Sequence, residues 1–324
     1  MEKKIKNKIR LRETGLGFFK LLKQTFSEFK SDSVTKLSAS LAYYTIFSLP
    51  PLILLIISIF SNILSRETVE SEVYSTIGSF LGNKGADDIE NIIKNVHSKD
   101  NSTISSIIAI ITLFLGATGV FGEIQSSINY IWSVKAKPKR KWLWYIVNRF
   151  ISFSMILTFG FLLLVTLIIN SLISIFNDRL HDFIPIADQV FSLVSFVVSL
   201  LIITGLFTLI FKILPDAKVQ WGFAWRGALF TAVLFTIGKI LIGFYLKNSS
   251  LDTTYGAAGS VILILAWVYY TALILYFGAE FTQVYVKRKN GSITPKRYAV
   301  YIKKKEIEVD GVHITEQKKE VVSE

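Results

Sequence analysis

Long apolar runs alternate with short polar stretches along most of the chain. From Val261 to Phe277 there is no charge, and Glu280 is the first acidic residue after it. At ~1.5 Å per residue, such a run crosses most or all of the ~30 Å hydrocarbon core of a bilayer. The segment opens on Tyr255-Gly256-Ala257-Ala258-Gly259-Ser260 and closes on Gly278-Ala279-Glu280. Five earlier runs have the same character, roughly Leu37–Leu64, Ile104–Trp132, Trp142–Ile175, Ile186–Leu214 and Gly222–Leu246. The pattern predicts an all-α integral membrane protein, a bundle of six transmembrane helices over residues 37–286.

Two further segments keep helical periodicity without being apolar enough to cross. Between Leu16 and Phe29, apolar residues recur every three or four positions, with Lys20, Lys23 and Lys30 among them. This predicts an amphipathic helix, lying among lipid headgroups or on the end of the bundle itself. It follows a basic, mobile arm, and together they make up residues 1–36. Residues 66–103 are net acidic and predict a small helical outer loop, two short helices broken at Gly82–Gly85.

Charge orients the bundle. The chain carries a net +12, concentrated in the N-terminal arm, the loop Lys135–Lys141, the segment Lys212–Lys218 and the tail from Lys287. The other three loops are poor in Lys and Arg. Positive loops stay cytoplasmic, so both termini are expected there, and the tail 287–324 is expected to be disordered. The expected partners are the lipid bilayer and anionic lipid headgroups at that face. The basic segments lack the interleaved aromatics of a single-strand platform, so no nucleic acid is expected. The absence of cysteine excludes disulfide and thiolate chemistry.

Catalytic constellations do not emerge. His97, His181 and His313 fall in two outer loops and the tail, too scattered for one metal centre. No phosphate loop or nucleophile elbow appears. Neither a metal, a cofactor nor an enzymatic activity is expected.

What remains is polarity at membrane depth. Glu123, Lys239 and Glu280 lie in apolar spans, where charge is costly and normally faces the bundle interior. Gln125 and Asn129 follow Glu123, and Tyr43 and Tyr44 lie in the polar first half of span 1. Tyr269, Tyr276 and Glu280 share a face of span 6, as residues of a solute pathway or of a packing seam. Pro50 and Pro51 predict a kink in span 1. Gly116, Gly119 and Gly122, with Gly256 and Gly259, predict close helix contact. Similar depths predict that Lys239 pairs with Glu123, with Glu280 as second choice.

Several stretches resemble one known family. Ala39-Ser40-Leu41-Ala42-Tyr43-Tyr44-Thr45-Ile46-Phe47-Ser48-Leu49-Pro50-Pro51 is similar to the first span of the YihY/BrkB family. Ile124-Gln125-Ser126-Ser127-Ile128-Asn129-Tyr130-Ile131-Trp132 resembles its second. Leu214-Pro215, Trp225-Arg226-Gly227-Ala228 and the segment from Tyr255-Gly256 to Gly278-Ala279-Glu280 resemble the remainder. The resemblance covers roughly residues 15–290. It implies a six-span protein of the bacterial inner membrane, in a family without an agreed activity. That family was once labelled ribonuclease BN, and part of it is called a virulence factor. No residue here supplies nuclease chemistry.

The expected function is transporter-like or lipid-handling, with a polar interior for an unknown solute or lipid substrate. A membrane scaffold or regulator is the alternative, and an RNA-processing enzyme ranks last. The cysteine-free background permits a direct test of topology. Single cysteines at Ser31 and Ser292 should resist an impermeant thiol reagent in intact cells, and those at Asn83 and Ser250 should label. Labelling at Ser292 from outside would overturn the six-span topology.

Overall fold

The structure, a computed structural model, describes residues 2–81, 87, 89, 90, 119–180, 187–247 and 259–304. Its helices are α1 (Glu2–Ser31), α2 (Val34–Phe60), α3 (Arg66–Leu81), α4 (119–131), α5 (Lys141–Leu180), α6 (Ala187–Ile213), α7 (Trp221–Lys247) and α8 (Gly259–Arg288). Four short strands are β1 (Val134–Ala136), β2 (Ala217–Lys218), β3 (Thr294–Pro295) and β4 (Ala299–Tyr301). The protein is an all-α membrane protein. Five described helices are long and apolar enough to cross a bilayer, within α2, α5, α6, α7 and α8. Of the expected second span, α4 is the C-terminal part, and residues 104–118 lie outside the described residues.

α8 is the central post. It packs against α7, α2 and α1, while α6 packs on α7 and α5 on α6. The outer faces stay apolar, as lipid contact requires: Phe196, Ile240, Leu241 and Phe244 are all exposed.

The α7–α8 contact rests on a repeat. Gly227-Ala228-Leu229-Phe230-Thr231 and Gly278-Ala279-Glu280-Phe281-Thr282 share the form Gly-Ala-x-Phe-Thr. In the antiparallel pair each glycine meets the other helix's threonine. A Cβ on Gly227 would lie 2.0 Å from Thr282 Oγ1, and one on Gly278 would lie 1.9 Å from Thr231 Oγ1. Each threonine hydroxyl donates to its own helix's glycine carbonyl, at 2.8 Å for Thr231 and 2.7 Å for Thr282. That bond satisfies the hydroxyl inside the interface. Phe230 and Phe281 stack beside it, ring centroids 3.8 Å apart. Small residues let the backbones approach, so dispersion and the stacked rings hold the pair where lipid gives no hydrophobic drive.

Three glycine expectations can be placed. Gly119 closes on α2, where a Cβ would lie 3.1 Å from Ser48 Oγ. Gly259 is buried. Gly122 has open space where a Cβ would stand, so it is not a contact point. Gly116 and Gly256 lie outside the described residues. Pro50 and Pro51 sit inside α2, which continues past them to Phe60.

α1 starts at Glu2, within the arm expected to be mobile. Leu21 and Thr25 are buried, and Leu21 clusters with Phe281 and Val284. Phe18 meets Phe230 and Phe281 edge-on, both at 6.5 Å. The neighbouring edge leaves Phe19 and Phe26 exposed beside Lys23 and Lys30. α1 therefore docks on the bundle end by one face and keeps a second, apolar-and-basic edge free.

Up to residue 304 the tail is ordered where disorder was expected, and residues 305–324 lie outside the described residues. β4 pairs antiparallel with β1, matching Val134 to Tyr301 and Ala136 to Ala299. β3 pairs with β2, matching Ala217 to Pro295. Residues 291–304 thus form a strap across both basic loops, and the loop backbones provide the hydrogen bonds that a free tail would lack. The N-terminal helix, the two basic loops and the strap all gather at one end of the bundle.

The Gly-Thr contacts give a direct test. Gly278→Ala should lower stability in detergent by about 1–3 kcal/mol, since Thr231 must move. Gly205→Ala, with nothing within 4 Å of the new carbon, should change it by less than about 0.5 kcal/mol. Equal losses, read from thermal unfolding, would contradict the close packing of α7 on α8.

Candidate functional site

At the basic end, Asp216 is fully buried between α6 and β2. Its Oδ1 accepts from Gln125 Nε2 at 3.1 Å and from the Tyr298 hydroxyl at 3.0 Å. Oδ2 accepts from Asn129 Nδ2 at 2.8 Å, and the Asp216 backbone N–H donates to Asn129 Oδ1 at 2.7 Å. Gln125 and Asn129 are one turn apart on α4, so both side chains reach the same carboxylate. From the strap, the Lys296 backbone N–H donates to the Asp216 carbonyl at 2.8 Å. One carboxylate thereby joins α4, the α6–α7 connection and the tail. Burial pushes the Tyr298 phenol up, and the neighbouring Asp216 adds to this, so Tyr298 remains a donor at neutral pH. Burial pulls the Lys296 ammonium down, with Asp216 acting in opposition.

Beside this knot lies a cavity of about 430 Å³, lined among others by Gln125, Ser126, Asn129, Tyr130, Lys135 and Trp144. Gly122 also lines it, which explains the open space at that glycine. One side-chain N–H each of Gln125 and Asn129 is engaged by Asp216. The Trp144 indole N–H is buried and has no acceptor, and Asn148 Oδ1, one turn further on α5, is also unpaired. Lys135 brings a positive charge, and a second ammonium, Lys304, stands 4.0 Å above the Tyr130 ring. Positive charge thus stands at the cavity, and the Asp216 charge is already covered by donors. The cavity is chemically suited to an anionic group of headgroup size.

A second polar layer lies deeper, where α8 meets α4 and α2. Tyr276 and Glu280 share one face of α8 and are both fully buried. The oxygens of Glu280, the Tyr276 hydroxyl, Ser127 Oγ and Ser38 Oγ have no hydrogen-bond partner. The helices are stitched directly below. Trp132 Nε1 donates to the Ala279 carbonyl at 3.1 Å, and Gln283 Nε2 donates to the Ile131 carbonyl at 2.9 Å.

Other anticipated residues are placed differently. Tyr43 and Tyr44 are exposed, so they do not line an interior. The buried face of α2 carries Val34, Ser38, Leu41 and Ser48, and Tyr43 falls on its far side. Glu123 and Tyr269 are half-buried on α4 and α8. Lys239 is half-buried on α7, next to Gly238, which meets Tyr270 and Ile274 of α8. Arg66–Glu70 and Lys304–Asp32 form ion pairs. His97, His181 and His313 lie outside the described residues.

Sequence reasoning passed over Asp216, Tyr298, Lys135 and Trp144. One signal was available: Asp216 is the lone acid in a basic connection, between Lys212 and Lys218. A charge of the wrong sign in such a loop needs a local partner. Tyr298 carried no comparable signal, because its segment reads as a solvated tail.

A family model described as virulence factor BrkB matches residues 25–300. A UPF0761 membrane protein of Psychromonas ingrahamii is 27% identical over 281 residues, covering 83% of this chain and 89% of the relative. One from Vibrio vulnificus is 27% identical over 288 residues, covering 88% of each. For one from Saccharophagus degradans the identity is 28% over 270 residues, and the match spans 59% of that longer protein. No solved structure matches the chain.

Proposed function

The chain belongs to the virulence factor BrkB family and is a multi-pass membrane protein, and from that premise we propose that it binds the anionic headgroup of a membrane lipid in the cavity at its basic end. The observation that carries this reading is the donor-rich wall. Trp144, whose indole N–H is buried without an acceptor, and the exposed Lys135 both line one cavity of headgroup size. A phosphate takes both kinds of donor, and a neutral solute would leave the charge unused. The exposed Phe19 and Phe26 edge of α1, flanked by lysines, lies at the same end and suits the headgroup layer.

The basic end belongs on the cytoplasmic side of a bacterial inner membrane, by the asymmetry of Lys and Arg between the loops. The cavity then opens toward the leaflet whose negative surface attracts basic segments. Lipid handling is favoured over a purely structural role because a scaffold has no use for a buried donor without an acceptor.

Native mass spectrometry of protein delipidated and then exposed to nanodiscs of equal phosphatidylglycerol and phosphatidylcholine tests the reading. The wild type should retain phosphatidylglycerol preferentially. Lys135→Ala and Trp144→Phe should each retain about tenfold less, the equivalent of one charge-assisted hydrogen bond, with unfolding temperatures unchanged. Equal retention of the two lipids, or variants that retain as much as wild type, would overturn it.

A further inference from the structure

The deeper polar layer is separate from the headgroup cavity and calls for its own explanation. Glu280 occupies the variable position of the second Gly-Ala-x-Phe-Thr repeat. The equivalent residue in the first repeat, Leu229, is exposed on the outer face of α7. The same position on α8 is fully buried, with Glu28 and Asp32 near the end of α1 and Lys304 of the strap around it, so a residue that could have faced outward is instead sealed in. An aliphatic side chain would suit that place, but the chain puts a carboxylate there.

The surroundings of that carboxylate are rich in oxygen and poor in donors. Four side chains from three helices, Glu280 and Tyr276 on α8, Ser127 on α4 and Ser38 on α2, are buried without a partner. Tyr276 lies next to Ser127 and within electrostatic reach of Glu123. The charged groups around Glu280 are Asp32, close enough for the two carboxyl groups to share a hydrogen bond when one is protonated, Glu28 near the end of α1, and Lys304 from the strap. Lys304 is committed to an ion pair with Asp32. From α7, the residues that meet this turn of α8 are Gly227 and Thr231, neither of them charged. Glu280, Asp32 and Glu28 therefore set three carboxyl groups against one ammonium.

A buried carboxylate beside a second carboxylate, with no donor of its own, is too costly to persist ionised in a protein interior. The charge must be neutralised, either on Glu280 or beside it. Carboxylate and hydroxyl oxygens are hard ligands that suit a proton or a small hard cation. A divalent ion would require more carboxylates among its direct ligands. We propose that Glu280, Tyr276 and Ser127 form an interior site that takes up one monovalent cation, a proton or a sodium ion, next to the Asp32–Lys304 ion pair. Occupancy neutralises Glu280 and favours the packed arrangement of α8 against α2 and α4. Loss of the cation leaves a bare buried charge at that junction and loosens it. The α1 end and the strap, which meet through Asp32 and Lys304, then sense the state of the site.

The test is thermal unfolding of the purified full chain in detergent, titrated with sodium chloride against N-methylglucamine chloride at constant ionic strength, at several pH values between about 5 and 9, a range that spans the ordinary carboxyl and histidine values. A rise in the wild-type unfolding temperature with sodium at fixed pH identifies a sodium site. A rise with falling pH alone identifies a proton site. In either case Glu280→Gln, which keeps the shape and removes the charge, should lose that response and unfold no earlier than the unoccupied wild type. Tyr276→Phe should keep the response but require severalfold more cation, and it serves if Glu280→Gln does not accumulate. The proposal fails if the wild type responds to neither cation, or if both variants respond as the wild type does.

Discussion

The buried carboxylate of Asp216 is the interaction on which the basic end of the molecule depends. A charge removed from water at that depth persists only when its lone pairs are filled. Here the donors come from Gln125 and Asn129 on α4 and from Tyr298 on the strap. The α4 pair, Asp216 and Tyr298 are far apart in sequence, so satisfying one carboxylate fixes three chain segments together. The two small sheets follow, because β3 and β4 lie on either side of Tyr298 and each finds a basic loop beside it. The cavity follows as well. Its wall is the α4 face that carries Gln125 and Asn129, and its rim is the loop that β4 holds in place.

The membrane half obeys a different rule. Lipid offers no hydrophobic drive, so helices associate where their shapes permit close approach. The two Gly-Ala-x-Phe-Thr segments provide this symmetrically, each glycine seating the other's threonine. The symmetry ends at the variable residue. Leu229 meets the exterior, whereas Glu280 meets the end of α1 and the strap and becomes a buried acid. A near-repeat in sequence thus produces one packing surface and one polar site, according to which side of the pair is covered.

Much of the fold was legible from hydrophobic runs, because the ~30 Å bilayer core sets helix length directly. Runs ending near Leu214 and Leu246 appear as helices ending at Ile213 and Lys247. The tail was not legible. Its strands span two and three residues, and their partners lie 78 residues away in the pair Ala217–Pro295 and 167 in Val134–Tyr301. No local periodicity reports such pairing. Three helix ends at this face also turn through left-handed residues, Ser33, Ser133 and Asn290, and apart from Asn290 these carry no turn signal in the sequence. The polar candidates divided by mechanism. Gln125, Asn129, Tyr276 and Glu280 share helix faces that pack inward. Tyr43 and Tyr44 sit in an equally polar stretch, but helical phase turns Tyr43 away from the buried face.

Hydrogen exchange of the strap tests this account most directly, since the claim is that Asp216 holds the tail in the fold. The amides of Lys296 and Ile302 donate to Asp216 and Ser133, and that of Lys137 donates to Tyr298. In the wild type they should exchange far more slowly than an unstructured chain. In Asp216→Asn, where an amide group faces the donors of Gln125 and Asn129, that protection should fall while the core of α8 stays protected. Wild-type strap amides that exchange as fast as an unfolded peptide, or protection that survives the substitution, would contradict it.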